Sequence, residues 1–155
     1  MINEHDALPP TTALGVIRNF VSKMIKAAAA NGPVLVVDDE DAVLRFVERV
    51  LRDAGYKTAV ASSGADAIEM AKRIGPLGGL VTDVMMPGMT GDELARLLRQ
   101  EQPELKVLYL TGYSDRLFRE KTTLWADEAF LEKPCSVKAL REAVSLLLIG
   151  RLEAA

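Results

Sequence analysis

Beginning at Pro33, short apolar runs alternate with longer stretches whose apolar residues recur every three or four positions. Residues 34–37 read Val-Leu-Val-Val, and a continuous run of this kind is typical of a strand buried on both faces of a sheet. The next stretch carries Val43 and Val47 at helical spacing and ends before Gly55, a common helix stop. Five strand–helix pairs follow one another in this way. They predict a doubly wound α/β fold, a five-stranded parallel sheet with right-handed crossovers and helices on both faces.

The bounds of the predicted elements follow from the same change of period. Strands are predicted at 34–37, 57–61, 80–82, 107–110 and 129–131. Helices are predicted at about 43–54, from a Ser62 or Ser63 cap to about Ile74, between Gly91 and Pro103, more weakly between Ser114 and Leu124, and after a Ser136 cap. The last helix is expected to turn five apolar residues inward: Val137, Leu140, Val144, Leu147 and Leu148.

Residues 1–32 precede this pattern and are expected to form an extension with one amphipathic helix, from about Ala13 to Ala30. One face of that helix carries the apolar residues Leu14, Ile17, Val21, Met24, Ile25 and Ala28. This face suggests two hypotheses: a homodimer through the helix, or packing of the helix on its own domain. The chain is thus predicted to divide into the extension, a domain at 33–150 and a tail at 151–155.

Polar residues fall where the predicted strands end. Asp38 and Asp39 follow the first strand, Asp83 the third, Thr111 the fourth and Lys133 the fifth. Ligands of doubly wound folds bind at the carboxyl ends of the strands, so these side chains are expected to meet at one edge. Three carboxylates close together are costly unless a cation offsets them, and oxygen ligands suit a hard divalent ion. The acidic cluster therefore predicts a Mg²⁺ site.

The same edge carries groups suited to a phosphoryl group. Lys133 supplies an ammonium, a point charge that suits a phosphoryl oxygen, and Thr111 supplies a hydroxyl donor. A metal, a lysine and a hydroxyl can surround a transferring phosphoryl group and stabilise its equatorial oxygens. The carboxylate nucleophile in this arrangement is Asp83, which would form an aspartyl phosphate.

Four segments of the sequence resemble the receiver domain of two-component response regulators: VLVVDDE at 34–40, DVMMPG at 83–88, LTG at 110–112 and FLEKP at 130–134. The resemblance extends from about Val34 to Ile149, with the segments in the family's order. It implies a flavodoxin-like fold with strand order 2-1-3-4-5. It also implies that the domain is a signalling phosphoacceptor rather than an enzyme.

The resemblance implies a role for each acid at the predicted edge. Asp83 would be the phosphoacceptor. Asp83 and Asp39 would bind Mg²⁺ directly together with the backbone carbonyl of Met85, and Asp38 would act mainly through water. Met85 also occupies a position that the family varies to tune dephosphorylation, as does Tyr113. Because a thioether cannot hold an attacking water by a strong hydrogen bond, slow self-dephosphorylation is expected.

The resemblance also assigns the remaining residues of the edge. Thr111 and Lys133 would read the phosphoryl group. Phe130 matches the aromatic switch position, whose ring turns inward when Thr111 moves. Pro134 matches a proline that follows a cis peptide bond in the family, and proline makes such a bond physically accessible. Cys135 stands where the family often has an aromatic residue and is interpreted as a small core residue.

As a receiver, the chain would take a phosphoryl group from a phosphohistidine on a histidine kinase or histidine phosphotransfer protein and switch its contacts with an output protein. Only one helix and a short tail follow Lys133, so we expect a stand-alone receiver or a receiver cut from a longer protein. The alternative is the terminal receiver of a hybrid histidine kinase. A phosphatase of the haloacid-dehalogenase type usually has a second aspartate at the position of Met85. A non-phosphorylated interaction module would have lost an acid, Thr111 or Lys133.

Composition excludes several other classes of protein. The net charge of −3 provides no general attraction to nucleic acid or to an anionic membrane. No apolar run reaches the ~18 residues of a membrane span, and the N-terminus lacks the basic region of a signal peptide. The single cysteine fits a reducing compartment, so a cytoplasmic protein is expected. His5 is the only histidine, which excludes a multi-histidine metal site, and its place in a polar terminal stretch leaves no plausible histidine-based triad.

Overall fold

A computed structural model of the chain describes residues 13–112 and 127–150. Its strands are β1 Val34–Val37, β2 Thr58–Ala61, β3 Gly79–Asp83, β4 Val107–Thr111 and β5 Glu128–Glu132. The helices within these ranges are α1 Ala13–Ala30, α2 Asp41–Asp53, α3 Gly64–Ile74, α4 Gly91–Glu101 and α5 Val137–Leu148. The helix predicted between Ser114 and Leu124, the position of Tyr113 and the tail at 151–155 lie outside the described residues.

All five strands pair in parallel, in the order β2-β1-β3-β4-β5. This confirms the doubly wound fold and the strand order implied by the resemblance. Val37 pairs with Thr82, Asp83 with Leu110, and Thr111 with Glu132, so the carboxyl ends of the strands align at one edge. Every residue of β1 is buried, as its continuous apolar run predicted, and every residue of β3 and β4 is buried as well.

Successive residues of each strand serve opposite faces of the sheet, which separates the core into two clusters. One cluster packs under α3 and α4 and includes Leu35, Val37, Leu80, Leu94 and Tyr109. The other packs under α2 and α5 and includes Val36, Val47, Val81, Leu108 and Leu140. Each face of the sheet therefore packs against the apolar faces of two helices.

The serine caps predicted for two helices are present. The backbone N–H of Asp66 donates to Ser63 Oγ at 3.1 Å at the start of α3, and the N–H of Ala139 donates to Ser136 Oγ at 3.0 Å at the start of α5. Each bond satisfies a backbone donor that has no partner within its helix. Ser63, rather than Ser62, is thus the cap of α3.

One inward-facing prediction for α5 is wrong. Val137 is 50% exposed, whereas Leu140 and Val144 are fully buried. Val137 is the first residue of the helix, directly after its Ser136 cap. The periodicity is correct from Leu140 onward, but the helix begins with Val137 outside the part that packs on the sheet.

The N-terminal helix α1 is present over the predicted residues and leads into β1 at the sheet edge opposite the carboxyl ends. Gly32 lies in the connection, where an added Cβ would stand 2.3 Å from the carbonyl oxygen of Pro76, so only glycine fits without a shift. The apolar side chains of Leu14, Val16, Ile17, Phe20, Val21 and Met24 are 46% to 66% exposed. Within the described ranges, no helix is long and apolar enough to cross a membrane.

Candidate phosphoacceptor site

The residues predicted to form the site converge at the carboxyl edge of the sheet. Asp38 and Asp39 follow β1, and Asp83 is the last residue of β3. One carboxylate oxygen from each of these three residues lies within 4.8 Å of the others. Asp38 and Asp83 are buried and Asp39 is exposed, so the cluster opens to solvent on the Asp39 side.

Lys133 bridges the two buried acids. Its Nζ lies 3.3 Å from Asp38 Oδ2 and 3.3 Å from Asp83 Oδ1. Its backbone N–H donates to the Thr111 carbonyl at 2.7 Å, which fixes the loop after β5 against the end of β4. The following peptide bond, Lys133–Pro134, is cis. One lysine thus contacts carboxylates that come from two different strands.

Local hydrogen bonds orient Asp38. Its Oδ1 accepts the backbone N–H of Glu40 at 2.9 Å, and its own N–H donates to the Ala61 carbonyl at 3.3 Å. Glu40 is the residue before α2, so Asp38 is tied to the start of that helix. The second carboxylate oxygen, Oδ2, is directed to Lys133.

The backbone at Asp83 is held by two neighbours that the sequence did not identify as part of the site. Thr82 Oγ1 donates to the Asp83 carbonyl at 2.9 Å. Gly91, the first residue of α4, packs so closely that an added Cβ would stand 2.1 Å from that carbonyl oxygen. The sequence pattern marked Gly91 only as the start of a predicted helix, although a glycine also permits the close approach of another backbone.

Burial and like charge raise the pKa values of the two buried acids. The pKa of Asp83 rises to about 6, first because the carboxylate is desolvated and then because Asp38 repels it, with Lys133 opposing both effects. Desolvation likewise raises the pKa of Asp38. Burial lowers the pKa of Lys133, but the two carboxylates more than offset this effect and the net shift is upward. The site therefore favours a cationic lysine beside carboxylates that are costly to ionise together.

Thr111 completes this edge from β4. Its side chain is fully buried, and its Oγ1 has no hydrogen-bond partner among residues 13–112 and 127–150. A buried hydroxyl without a partner carries an energetic cost, which a hydrogen-bond acceptor brought to the site would remove. The donor set fits Mg²⁺ as well, because three carboxylates supply hard oxygen ligands with one side open to water.

A cavity of about 640 Å³ lies over these groups. Asp39, Asp83 and Lys133 form its polar side. Its apolar side is lined by residues of α2 and of the loop after β5: Val43, Phe46, Val47, Pro134 and Cys135. Met85 also lines the cavity and is 54% exposed, beside the acid at the end of β3. Cys135 is half-buried and packs against the core cluster under α2 and α5, as its interpretation as a small core residue predicted.

Phe130 lies on the side of the sheet that faces α3 and α4. Its ring stacks on Tyr109, with ring centroids 5.1 Å apart and planes 27° from parallel. Tyr109 in turn contacts Glu128, which pairs with Arg99 of α4. The sequence pattern did not identify the contacts among Tyr109, Glu128 and Arg99, although Glu128 stands directly before the predicted apolar strand at 129–131.

A doubly wound parallel sheet with acids after β1 and β3, a hydroxyl at β4 and a lysine after β5 defines the receiver class of signalling domains. Residues 34–145 match the sequence model of the response regulator receiver domain family. The chain belongs to this family and is a receiver domain of two-component systems.

Curated relatives share this domain in proteins of very different length. The chain is 37% identical to the sensor kinase CckA of Brucella abortus over 129 residues, which cover 81% of this chain and 14% of the kinase. It is 31% identical to the response regulator receiver protein CpdR of the same organism over 117 residues, which cover 76% of this chain and 97% of CpdR. The chain therefore spans nearly all of one relative and a small part of the other.

Solved structures show the same fold. The response regulator receiver protein of Sinorhizobium medicae is 34% identical, with a TM-score of 0.67, and the match covers 76% of this chain and 94% of that protein. The receiver domain of the hybrid histidine kinase CckA is 31% identical, with a TM-score of 0.64, over 76% of this chain and 99% of that domain.

Proposed function

We propose that Asp83 accepts a phosphoryl group from a phosphohistidine of a partner protein and that residues 33–150 form the unit that does so. The observation that carries this proposal is the contact of Lys133 with both Asp38 and Asp83 beside the third acid, Asp39. An excess of carboxylate over ammonium, at the edge where such folds bind ligands, suits a metal and a phosphoryl group together.

Mg²⁺ is the cofactor of this proposal. Asp39, Asp83 and the backbone carbonyl of Met85 would hold it directly, and Asp38 would act mainly through water. When bound, the ion would offset the charge of the acids and of the phosphoryl oxygens. Its ligands would come from β1 and from the end of β3, which the sheet register holds at one edge.

In the proposed transfer, a carboxylate oxygen of Asp83 attacks phosphorus, the P–O bond to Asp83 forms, and the P–N bond to the partner's histidine breaks. The attack requires an ionised Asp83, a form that Lys133 favours and that bound Mg²⁺ would favour further. Lys133 would donate hydrogen bonds to one phosphoryl oxygen, and the buried hydroxyl of Thr111 would donate to another. The ring of Phe130 would then turn inward as Thr111 moves toward the phosphoryl group.

The proposed donor is a histidine kinase or a histidine phosphotransfer protein. The cavity above Asp83 supports this choice, because its apolar side at Val43, Phe46, Pro134 and Cys135 offers a surface for a partner helix beside the reacting acid. The output would be a change in contacts with another protein. We place this relay in the cytoplasm, where Cys135 stays reduced.

The preferred form is a stand-alone receiver, which is supported by a match that covers 97% of the receiver protein CpdR. The alternative is the terminal receiver of a hybrid histidine kinase. That alternative is supported by 37% identity to the sensor kinase CckA. Both forms use the same site and the same phosphoryl chemistry.

The central experiment is Mg²⁺-dependent labelling with acetyl phosphate, followed by intact mass. Wild type is expected to gain one phosphoryl group and Asp83→Asn none, because an amide cannot form the acyl phosphate. Asp53→Asn, a change at an exposed acid of α2, is the matched control and should label like wild type. Equal stable labelling of wild type and Asp83→Asn would remove Asp83 from the proposed role.

A homodimer through α1 is a separate proposal, supported by the exposed apolar side chains of Leu14, Ile17, Val21 and Met24. Deleting residues 1–31 is expected to convert a dimer to a monomer in light-scattering measurements. Ile17→Glu should do the same, whereas Asn19→Glu, an exposed polar position of the same helix, should not. An oligomeric state that none of these changes alters would reject the dimer.

A further inference from the structure

A buried ionic network ties α4 to the last strand of the sheet. Arg99 Nη1 pairs with Glu128 Oε1, and the two side chains are only 19% and 4% exposed. Arg99 also donates from Nε and Nη2 to the Leu105 carbonyl at 3.1 and 2.9 Å. These bonds run in different directions from one planar guanidinium, so Arg99 fixes the position of the Glu128 carboxylate.

Glu128 also holds the side chain of Tyr109 by a hydrogen bond. Its Oε1 accepts the hydroxyl of Tyr109 at 3.1 Å. Tyr109 is 2% exposed, and its ring stacks on Phe130 at a centroid distance of 5.1 Å. Tyr109 and Phe130 are direct neighbours in the register of β4 and β5, and Glu128 lies two residues before Phe130 on the same face. A continuous set of contacts thus joins α4 to the ring of Phe130.

The same face leads to the phosphoacceptor edge. Thr111 lies two residues after Tyr109 on β4, so both side chains project from one side of the sheet. In the proposed function, Thr111 would move toward the phosphoryl group and leave space beside the Tyr109–Phe130 stack. The ring of Phe130 can enter that space only if its contact with Tyr109 changes.

We propose that Tyr109 is a positioning residue that holds Phe130 in its unphosphorylated arrangement, with Glu128 and Arg99 as its anchor on α4. This inference rests on the proposed function, because it assigns Tyr109 a role in the response to a phosphoryl group. The contacts of Arg99, Glu128 and Tyr109 stabilise the unphosphorylated position of the Phe130 ring. Weakening these contacts therefore favours the phosphorylated arrangement and strengthens the binding of any ligand that selects that arrangement.

The size of the effect follows from the hydroxyl of Tyr109, which donates to Glu128. Losing one hydrogen bond is enough to shift a two-state equilibrium by about 2- to 10-fold. Removing only the hydroxyl, in Tyr109→Phe, keeps the ring and the Glu128–Arg99 pair but releases the ring from Glu128. Beryllofluoride with Mg²⁺ is the probe, as a stable mimic of the phosphoryl group on Asp83.

The experiment is a double-mutant cycle on beryllofluoride affinity with Tyr109→Phe, Phe130→Leu and the double variant. Tyr109→Phe is expected to bind beryllofluoride about 2- to 10-fold more tightly than wild type. In the Phe130→Leu background the same change is expected to have no effect, because Tyr109 acts through the Phe130 ring. Mg²⁺ affinity without beryllofluoride should be the same in all four proteins, which a general loosening of the fold would not produce.

Two further variants test the anchor and the specificity. Glu128→Gln weakens the bond to Arg99 and should also tighten beryllofluoride binding, whereas Tyr56→Phe, which removes a hydroxyl next to the core cluster under α2 and α5, should not. Unchanged or weaker binding by Tyr109→Phe, or a shift of equal size in both backgrounds, would overturn the inference. If wild type itself fails to bind beryllofluoride, the proposed function fails, and the inference falls with it.

Discussion

The part of the domain that the structure describes includes two buried ionic clusters that differ in how their charges balance. At the carboxyl edge, one ammonium, Lys133, contacts two carboxylates, Asp38 and Asp83. Under α4, among residues 13–112 and 127–150, the guanidinium of Arg99 pairs with the carboxylate of Glu128. The second cluster also supplies Glu128 with the hydroxyl of Tyr109, and Arg99 with the Leu105 carbonyl.

The difference separates a ligand site from a structural pair. The balanced cluster satisfies its charges internally, so each group stabilises the others in the folded state. The acidic edge has more carboxylates than cations and does not satisfy its charges internally. The cost of ionising its carboxylates together is reflected in the pKa of Asp83, which desolvation and Asp38 raise to about 6. A site with excess buried negative charge gains stability when a cation binds, whereas a balanced pair gains none.

The largest expected effect comes from breaking the balanced cluster. Arg99→Ala removes the guanidinium that pairs with the buried carboxylate of Glu128, which should lower the free energy of unfolding by about 3 to 5 kcal/mol. Urea denaturation followed by circular dichroism measures this change. Arg96→Ala, at an exposed position of the same helix, should cost under about 0.5 kcal/mol. An equal decrease in the free energy of unfolding of both variants would mean that the buried pair does not stabilise the fold more than an exposed arginine does.

The acidic edge should respond in the opposite direction. Asp83→Asn removes a carboxylate that is costly to bury, so without divalent ions it should raise the free energy of unfolding at pH 7.5, by up to about 3 kcal/mol. The variant should also lose most of the stabilisation that Mg²⁺ gives wild type. A variant that is less stable than wild type in the absence of metal would contradict the comparison.

The stability that Asp83→Asn gains over wild type should depend on pH, because the pKa of Asp83 differs between the folded and unfolded states. The folded-state pKa of Asp83, about 6, lies above its model-peptide value of 3.8. As pH falls from about 6 toward 4, folded wild type binds a proton that the unfolded chain does not, so wild type gains stability. The advantage of Asp83→Asn is therefore fully present above about pH 6 and shrinks below it. Metal-free urea titrations at pH 4.5 and 7.5 measure this difference.

The smallest expected effect concerns the exposed neighbour of the acceptor. Met85→Asn places an amide beside Asp83 that can orient an attacking water, so the aspartyl phosphate should hydrolyse about 2- to 10-fold faster. The half-life of the acetyl-phosphate-labelled protein measures the rate. Leu146→Asn, at an exposed apolar residue of α5 away from the acids, is the control. No acceleration would show that Met85 does not set the lifetime.

The two clusters were not equally predictable from sequence. The acidic edge follows from a rule about parallel sheets, because residues after strand ends must meet at one edge wherever the helices lie. The pair of Arg99 and Glu128 joins residues 29 positions apart and follows no such rule. The close approach of Gly91 to the Asp83 carbonyl is likewise invisible until α4 is packed on the sheet.

By itself, the sequence determined the alternation of strands and helices, the residues at the strand ends and the serine caps of α3 and α5, because these depend on local periodicity and local hydrogen bonds. Tertiary structure alone decided that Val137 is exposed, that Lys133 reaches two carboxylates and that Tyr109 stacks on Phe130. It also decided the raised pKa of Asp83. Desolvation and contacts between distant side chains depend on how the elements pack, which no local pattern encodes.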